Sequence, residues 1–113
     1  MTAKNTLVTA PPYPVEQAVK RLGANLRTAR LRRNLTIDDV AQKIGTGPRA
    51  VADAEKGKLS SGVAVYAALL WTYDLLGPFS DLADPASDEE GLLLSETRKR
   101  ARARETEELD RDF

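Results

Sequence analysis

The 113-residue sequence contains no cysteine and no histidine. Without cysteine there is neither a disulfide nor a thiolate metal site, and without histidine the commonest metal ligand and general base are missing. The expectation is a protein with no metal, no cofactor and no enzymatic activity. Long apolar runs are lacking too: the most apolar stretch, residues 63–76, is too short to cross a bilayer and carries Asp74. The opening MTAKNTLVTAPPYP has no charged-then-apolar pattern and does not read as a secretion signal. Together these absences predict a soluble, cytoplasmic protein with no membrane partner. What is present, 42% hydrophobic and 30% charged residues, suits one small globular domain with tails and leaves no room for a second core.

The formal net charge is zero, but the charges are unevenly placed. Residues 17–58 hold ten basic side chains (Lys20, Arg21, Arg27, Arg30, Arg32, Arg33, Lys43, Arg49, Lys56, Lys58) against four acids (Asp38, Asp39, Asp53, Glu55). Residues 59–97 hold seven acids and no base, and the segment that follows opens with RKRARAR and closes with ETEELDRDF. The first region is suited to facing phosphates and the second is not.

Along the chain, residues 1–16 carry Pro11, Pro12 and Pro14 and read as a flexible arm. From Val15, the spacing of Val19, Leu22, Leu26, Ala29 and Arg30 marks one face of a helix running to about Arg33. Thr36 is a good N-cap with Asp39 three positions on, a capping-box variant that opens a second helix over residues 37–44. Gly45 follows where a residue free to take positive φ can turn the chain. Gly47 and Pro48 suit an N-cap and a first helical position, so a third helix is expected from Pro48 to about Lys56, ended by Gly57. Ser60 or Ser61 would cap a fourth helix bearing Val65, Tyr66, Leu69, Leu70 and Tyr73, with Gly77-Pro78 leading to a turn containing Phe79 and Leu82. After Asp84-Pro85, the Ser87–Glu90 spacing suggests a last helix from about Asp88 that frays within RKRARARETEE or stays mobile. The expected fold is all-α: a compact four- to five-helix domain over residues 17–83, followed by a C-terminal helix and charged tail over residues 84–113.

Two short helices joined by a glycine-containing turn, inside a basic helical domain, describe a helix-turn-helix unit. The run LGANLRTARLRRNLTIDDVAQKIGTGPRAVADAEKGK resembles the Cro/C1-type, or XRE, family of phage-repressor-like regulators over roughly residues 20–76. The resemblance implies structural roles for Ala41 at the crossing of the two motif helices, Gly45 in the turn and Val51 as apolar anchor of the recognition helix. It also implies an ion pair between Arg30 and Glu55, preferred to a catalytic role because no nucleophile, base or phosphate loop stands nearby.

By the same resemblance, base-facing positions fall on Pro48, Arg49, Ala52 and Asp53, with Thr46 and Gly47 leading into them. Arg49 can fork to guanine O6 and N7, whereas Pro48 offers only apolar contact. Asp53 either accepts from cytosine N4 or sits beside Lys56 without touching a base. The family favours glutamine where this chain has Ile37. Direct readout is therefore thin, and Lys43, Lys56, Lys58 and the arginines of the first helix are expected to act as phosphate clamps, with DNA shape contributing specificity.

Residues 65–105 are similar in composition and order to the HipB-like antitoxins encoded beside HipA-type kinase toxins, through the aromatic-leucine helix, the Leu-Ala-Asp-Pro step and the basic tail. That likeness implies a homodimeric repressor of its own operon that holds a HipA-like toxin kinase inactive. Trp71 and Phe79 are candidates for the dimer or partner surface, or for plain core packing, and Phe113 for an aromatic anchor on the tail. A stand-alone phage-type or restriction-controller repressor remains an alternative, as does a helix-turn-helix adaptor without DNA binding.

Overall fold

The structure, a computed structural model, describes residues 5–111, and all regular elements among them are helical. A single turn, α1 (Thr6–Thr9), closes with the Ala10 N–H donating to the Thr6 carbonyl at 2.7 Å. The long α2 (Tyr13–Arg32) starts inside the segment read above as an arm. The proline cluster is what starts it: Pro12 is the N-cap residue and Pro14 lies in the first turn, where a missing N–H costs nothing. Gly23, Leu26, Ala29 and Arg30 form its buried stripe.

Helix α3 (Ile37–Ile44) opens with the expected capping box: the Asp39 N–H donates to Thr36 Oγ1, and the Thr36 N–H donates to Asp39 Oδ2, each at 3.0 Å. Hydrogen bonding to the carboxylate by Thr36, from its backbone N–H first and its side chain second, holds the Asp39 carboxyl below its ordinary pKa. The helix ends at Gly45, whose φ of 78° is in the left-handed region, with the Gly45 and Thr46 N–H groups both donating to the Ala41 carbonyl at 3.0 Å. Gly47 then caps α4 (Pro48–Glu55), with Pro48 at its first position.

The next helix starts later than Ser60 or Ser61 would place it. The chain is held in a further turn, the Ser61 N–H donating to the Lys58 carbonyl at 3.2 Å while the Tyr66 hydroxyl donates to the same carbonyl at 2.8 Å. The cap is consequently Gly62, and α5 runs Val63–Thr72. The segment containing Phe79 is a short helix, α6 (Leu76–Ser80), rather than a turn. The described chain up to Ser80 thus holds α2 to α6, five helices where four or five were expected for the domain, and α1 within the segment read as an arm.

The core of this region is Leu26, Ala29, Val40, Ala41, Val51, Ala54, Tyr66, Leu69 and Tyr73, so four helices, together with Tyr73 at the end of α5, converge on one cluster. α3 packs most extensively on α4, and α2, α3 and α5 surround α4. The chain divides into two units, one ending at Ser80 and one starting at Asp81. The second unit consists of a single 3-10 turn, Pro85–Ser87, and α7 (Glu89–Arg111). Its cap is Asp88, whose Oδ1 accepts from the Gly91 N–H at 3.0 Å, rather than Ser87, which the 3-10 turn takes up. Instead of fraying, the charged repeat is helical to Arg111, as its leucine, glutamate, arginine and alanine content favours. No residue of this unit whose burial is described is buried. Compaction around a core is thus a property of the first unit.

One contact sets how closely α2 and α4 approach. A methyl group at Gly23 would lie 2.5 Å from the Ala54 carbonyl oxygen and 2.6 Å from the Gly57 nitrogen. Gly57, at φ 70°, faces the Lys20 backbone in return. Gly23→Ala is therefore expected to force the helices apart and cost about 1–3 kcal/mol, the range for overpacked cores. Urea unfolding checks this, and an unshifted midpoint would contradict the close crossing.

Candidate nucleic-acid interface

Helices α3 and α4 meet through small side chains. Ala41 and Val51 are 2% and 0% exposed and belong to the same core cluster. Gly45 supplies the reversal between them. Behind α4, the Arg30 guanidinium grips the Glu55 carboxylate with two bonds, Nε to Oε2 at 2.7 Å and Nη2 to Oε1 at 3.0 Å. A third donor, Nη1, reaches the Leu35 carbonyl at 2.9 Å. Both side chains are buried. The hydrogen bond to Glu55 raises the Arg30 pKa above its ordinary value despite the opposing effect of burial. One guanidinium thus ties the end of α2 both to the last residue of α4 and to the loop before α3.

With Val51, Ala54 and Glu55 facing inward, α4 turns its other side to solvent. Gly47, Pro48 and Arg49 are exposed, and Thr46, Ala52 and Asp53 are half-buried. Lys43, in the last turn of α3, and Lys56 and Lys58, after the end of α4, are exposed as well. Asp53 pairs with Lys58, Oδ2 to Nζ at 3.6 Å, and not with Lys56. The Lys58 N–H also donates to the Asp53 carbonyl, bringing the two residues together across the turn. Lys43 Nζ lies 5.5 Å from the centroid of the Trp71 ring. Ile37, which stands where glutamine was looked for, packs half-buried against the core.

The arginines of α2 do not form one clamp. Arg30 is internal, and Arg33 donates to the Ala29 carbonyl at 2.9 Å and to the Tyr73 carbonyl at 3.0 Å while its guanidinium lies 5.4 Å from the Tyr73 ring centroid. Arg33 therefore joins α2 to the end of α5, a role its place in a basic run did not disclose. Gly23 was likewise missed, because a helical glycine signals a close crossing only once its neighbour is known. Burial raises the Tyr73 hydroxyl pKa, and that hydroxyl has no hydrogen-bond partner among the described residues.

Of the residues offered for partner contact, Trp71 is 57% exposed. Phe79 is half-buried and lines a groove with Val19, Leu22, Lys58 and Tyr66. Phe113 lies outside the described residues. Among those residues no group of acids is placed to hold a metal ion, and no helix is long and apolar enough to cross a membrane.

A family model described as a helix-turn-helix domain matches residues 21–78, 58 of the 113 residues. No curated protein and no solved structure matches the chain. The matched span contains the whole of α3, α4 and α5 and both partners of the buried ion pair.

Truncating one member of that pair leaves the other buried and uncompensated. Glu55→Ala is expected to cost about 3–5 kcal/mol, whereas the double replacement Arg30→Met with Glu55→Leu should cost much less. Denaturant unfolding of the two variants measures this, and a double replacement as costly as Glu55→Ala would show that the two groups do not act as a pair.

Proposed function

The chain belongs to the helix-turn-helix domain family, and from that premise we propose that it is a transcription regulator that binds double-stranded operator DNA. The observation that carries this reading is the division of α4 into two sides. Val51, Ala54 and Glu55 anchor it, while Pro48 and Arg49 at its N-terminal end stand exposed, as do Lys43 in the last turn of α3 and Lys56 just past the other end of α4. A helix so presented can put its first turn against base edges in the major groove.

Arg49 is the one side chain at the start of α4 able to fork to guanine, and Pro48 and Ala52 suit apolar contact with a thymine methyl. Asp53, engaged by Lys58, is read here as structural. Gly47 offers a backbone N–H to the duplex at the helix N-terminus, where Thr46, its own N–H held by the Ala41 carbonyl, adds a hydroxyl; Lys43, and Lys56 and Lys58 beyond the other end of α4, contact phosphates.

So small a set of base contacts favours a homodimer with half-sites about one helical turn apart. The exposed Trp71 and Leu75 support an additional protein contact on the α5 side. Repression of its own operon follows if the operator overlaps the promoter. The finer assignment, an antitoxin that holds a HipA-like kinase inactive, is supported by the resemblance of residues 65–105 given above.

A gel shift of the wild-type chain on DNA upstream of its own gene, with Arg49→Ala beside it, tests the proposal. The wild type should bind, and Arg49→Ala should lose about 1–3 kcal/mol of discrimination between that DNA and a scrambled duplex. Failure of the wild type to shift any duplex at low salt would favour the adaptor reading instead.

A further inference from the structure

Several cations of the motif already have a neighbour within the fold. Lys58 is paired with Asp53, Lys43 lies over Trp71, and Arg30 and Arg33 are tied within the fold, which leaves Arg49 on the presented end of α4 and Lys56 just past its other end. A second and denser set stands elsewhere. Arg98, Lys99, Arg100, Arg102 and Arg104 lie within seven residues of α7 without an intervening acid, and all five are exposed. Among the described residues none of them is in an ion pair. Resting on the DNA-binding reading above, we propose that this stretch of α7 is a second, sequence-independent DNA contact that anchors the chain on phosphates of the duplex it regulates.

The placement of the charges supports a duplex as the occupant. At 3.6 residues per turn, Arg98, Lys99 and Arg102 fall within about 100° of arc, and Arg100 and Arg104 lie about 40° apart on the opposite flank. Ala101 and Ala103 occupy the sides between the two rows. A helix about 10–12 Å across fits the major groove, about 12 Å wide, so its two flanks then meet phosphates of both strands. The basic stretch is about 10 Å long at 1.5 Å per residue, which spans about three phosphates per strand at 3.4 Å each. Rows of three and two cations match that number. The stretch is also bounded: Glu96 precedes it, and Glu105, Glu107, Glu108 and Asp110 follow, so contact ends within about two turns.

The test uses the full chain with Arg98→Gln, Lys99→Gln, Arg100→Gln, Arg102→Gln and Arg104→Gln together, glutamine being nearly as good a helix former as the residues it replaces. Affinity for a random-sequence duplex and for the upstream DNA is measured over a salt series. The slope of log affinity against log salt should fall in magnitude by up to about 4.5, with preference for the upstream DNA retained. The milder pair Arg100→Gln with Arg104→Gln, which leaves most of the helix unchanged, should lower it by up to about 1.8. Unchanged slopes in both variants with a wild type that binds would overturn the proposal and leave the DNA-binding reading standing. A wild type that binds no duplex would overturn both. A parallel measurement with phosphatidylserine vesicles covers the remaining polyanion: vesicle binding lost in the variants, with DNA slopes unchanged, would assign the stretch to a membrane surface and overturn the proposal.

Discussion

Arg30 and Glu55 sit at the point where three parts of the fold meet. The guanidinium near the end of α2 holds the carboxylate that ends α4 and the carbonyl of Leu35 just ahead of α3. Removing two charges from water is costly, and only a fork-to-fork geometry with the remaining donors satisfied compensates for it. The arrangement is therefore intolerant of partial change. It fixes the start of α3 and the end of α4 relative to one scaffold helix, leaving the opposite end of α4 free. The Gly23–Gly57 approach adds a distance constraint at the same end of α4, so orientation and depth are set by two neighbouring features of different kinds.

From this follows an interface rigid in position but poor in chemistry. The exposed end of α4 carries a proline, an arginine and an alanine, and several surrounding cations are held by Asp53, Trp71 or internal partners. Under the proposed function, base recognition by so few groups would give modest discrimination, with affinity and selectivity drawn from phosphate contacts and the deformability of the site. The cation-rich middle of α7 fits that need, in a unit that buries nothing of its own.

Much of the motif was legible because its signals are local. Thr36 with Asp39, Gly45 after a short helix, and Gly47-Pro48 ahead of the next each report a backbone requirement met within four residues. Arg30 with Glu55 was legible only through resemblance, since nothing in spacing alone joins residues 25 apart. What escaped depends on tertiary or competing contacts. Gly23 looks like a helix weakness until the end of α4 lies against it. Arg33 looks like surface charge until the Tyr73 carbonyl is beside it. Ser61 looks like a cap until the Lys58 carbonyl holds the chain in a turn, and Ser87 until Asp88 takes its place. The prolines near the start read as breakers, yet two of them initiate α2. The few apolar residues of α7 suggest fraying, but its helix propensity carries it to Arg111.

The central claim is that the N-terminal end of α4 is the surface that meets DNA. Backbone amide chemical shifts of the full chain, followed by NMR during titration with the upstream duplex, test it most directly. The account predicts that the largest changes fall on Thr46, Gly47, Arg49 and Ala52, with the buried side of α4 and the Arg30–Glu55 region little moved. Saturable binding that leaves those four amides unshifted would contradict it.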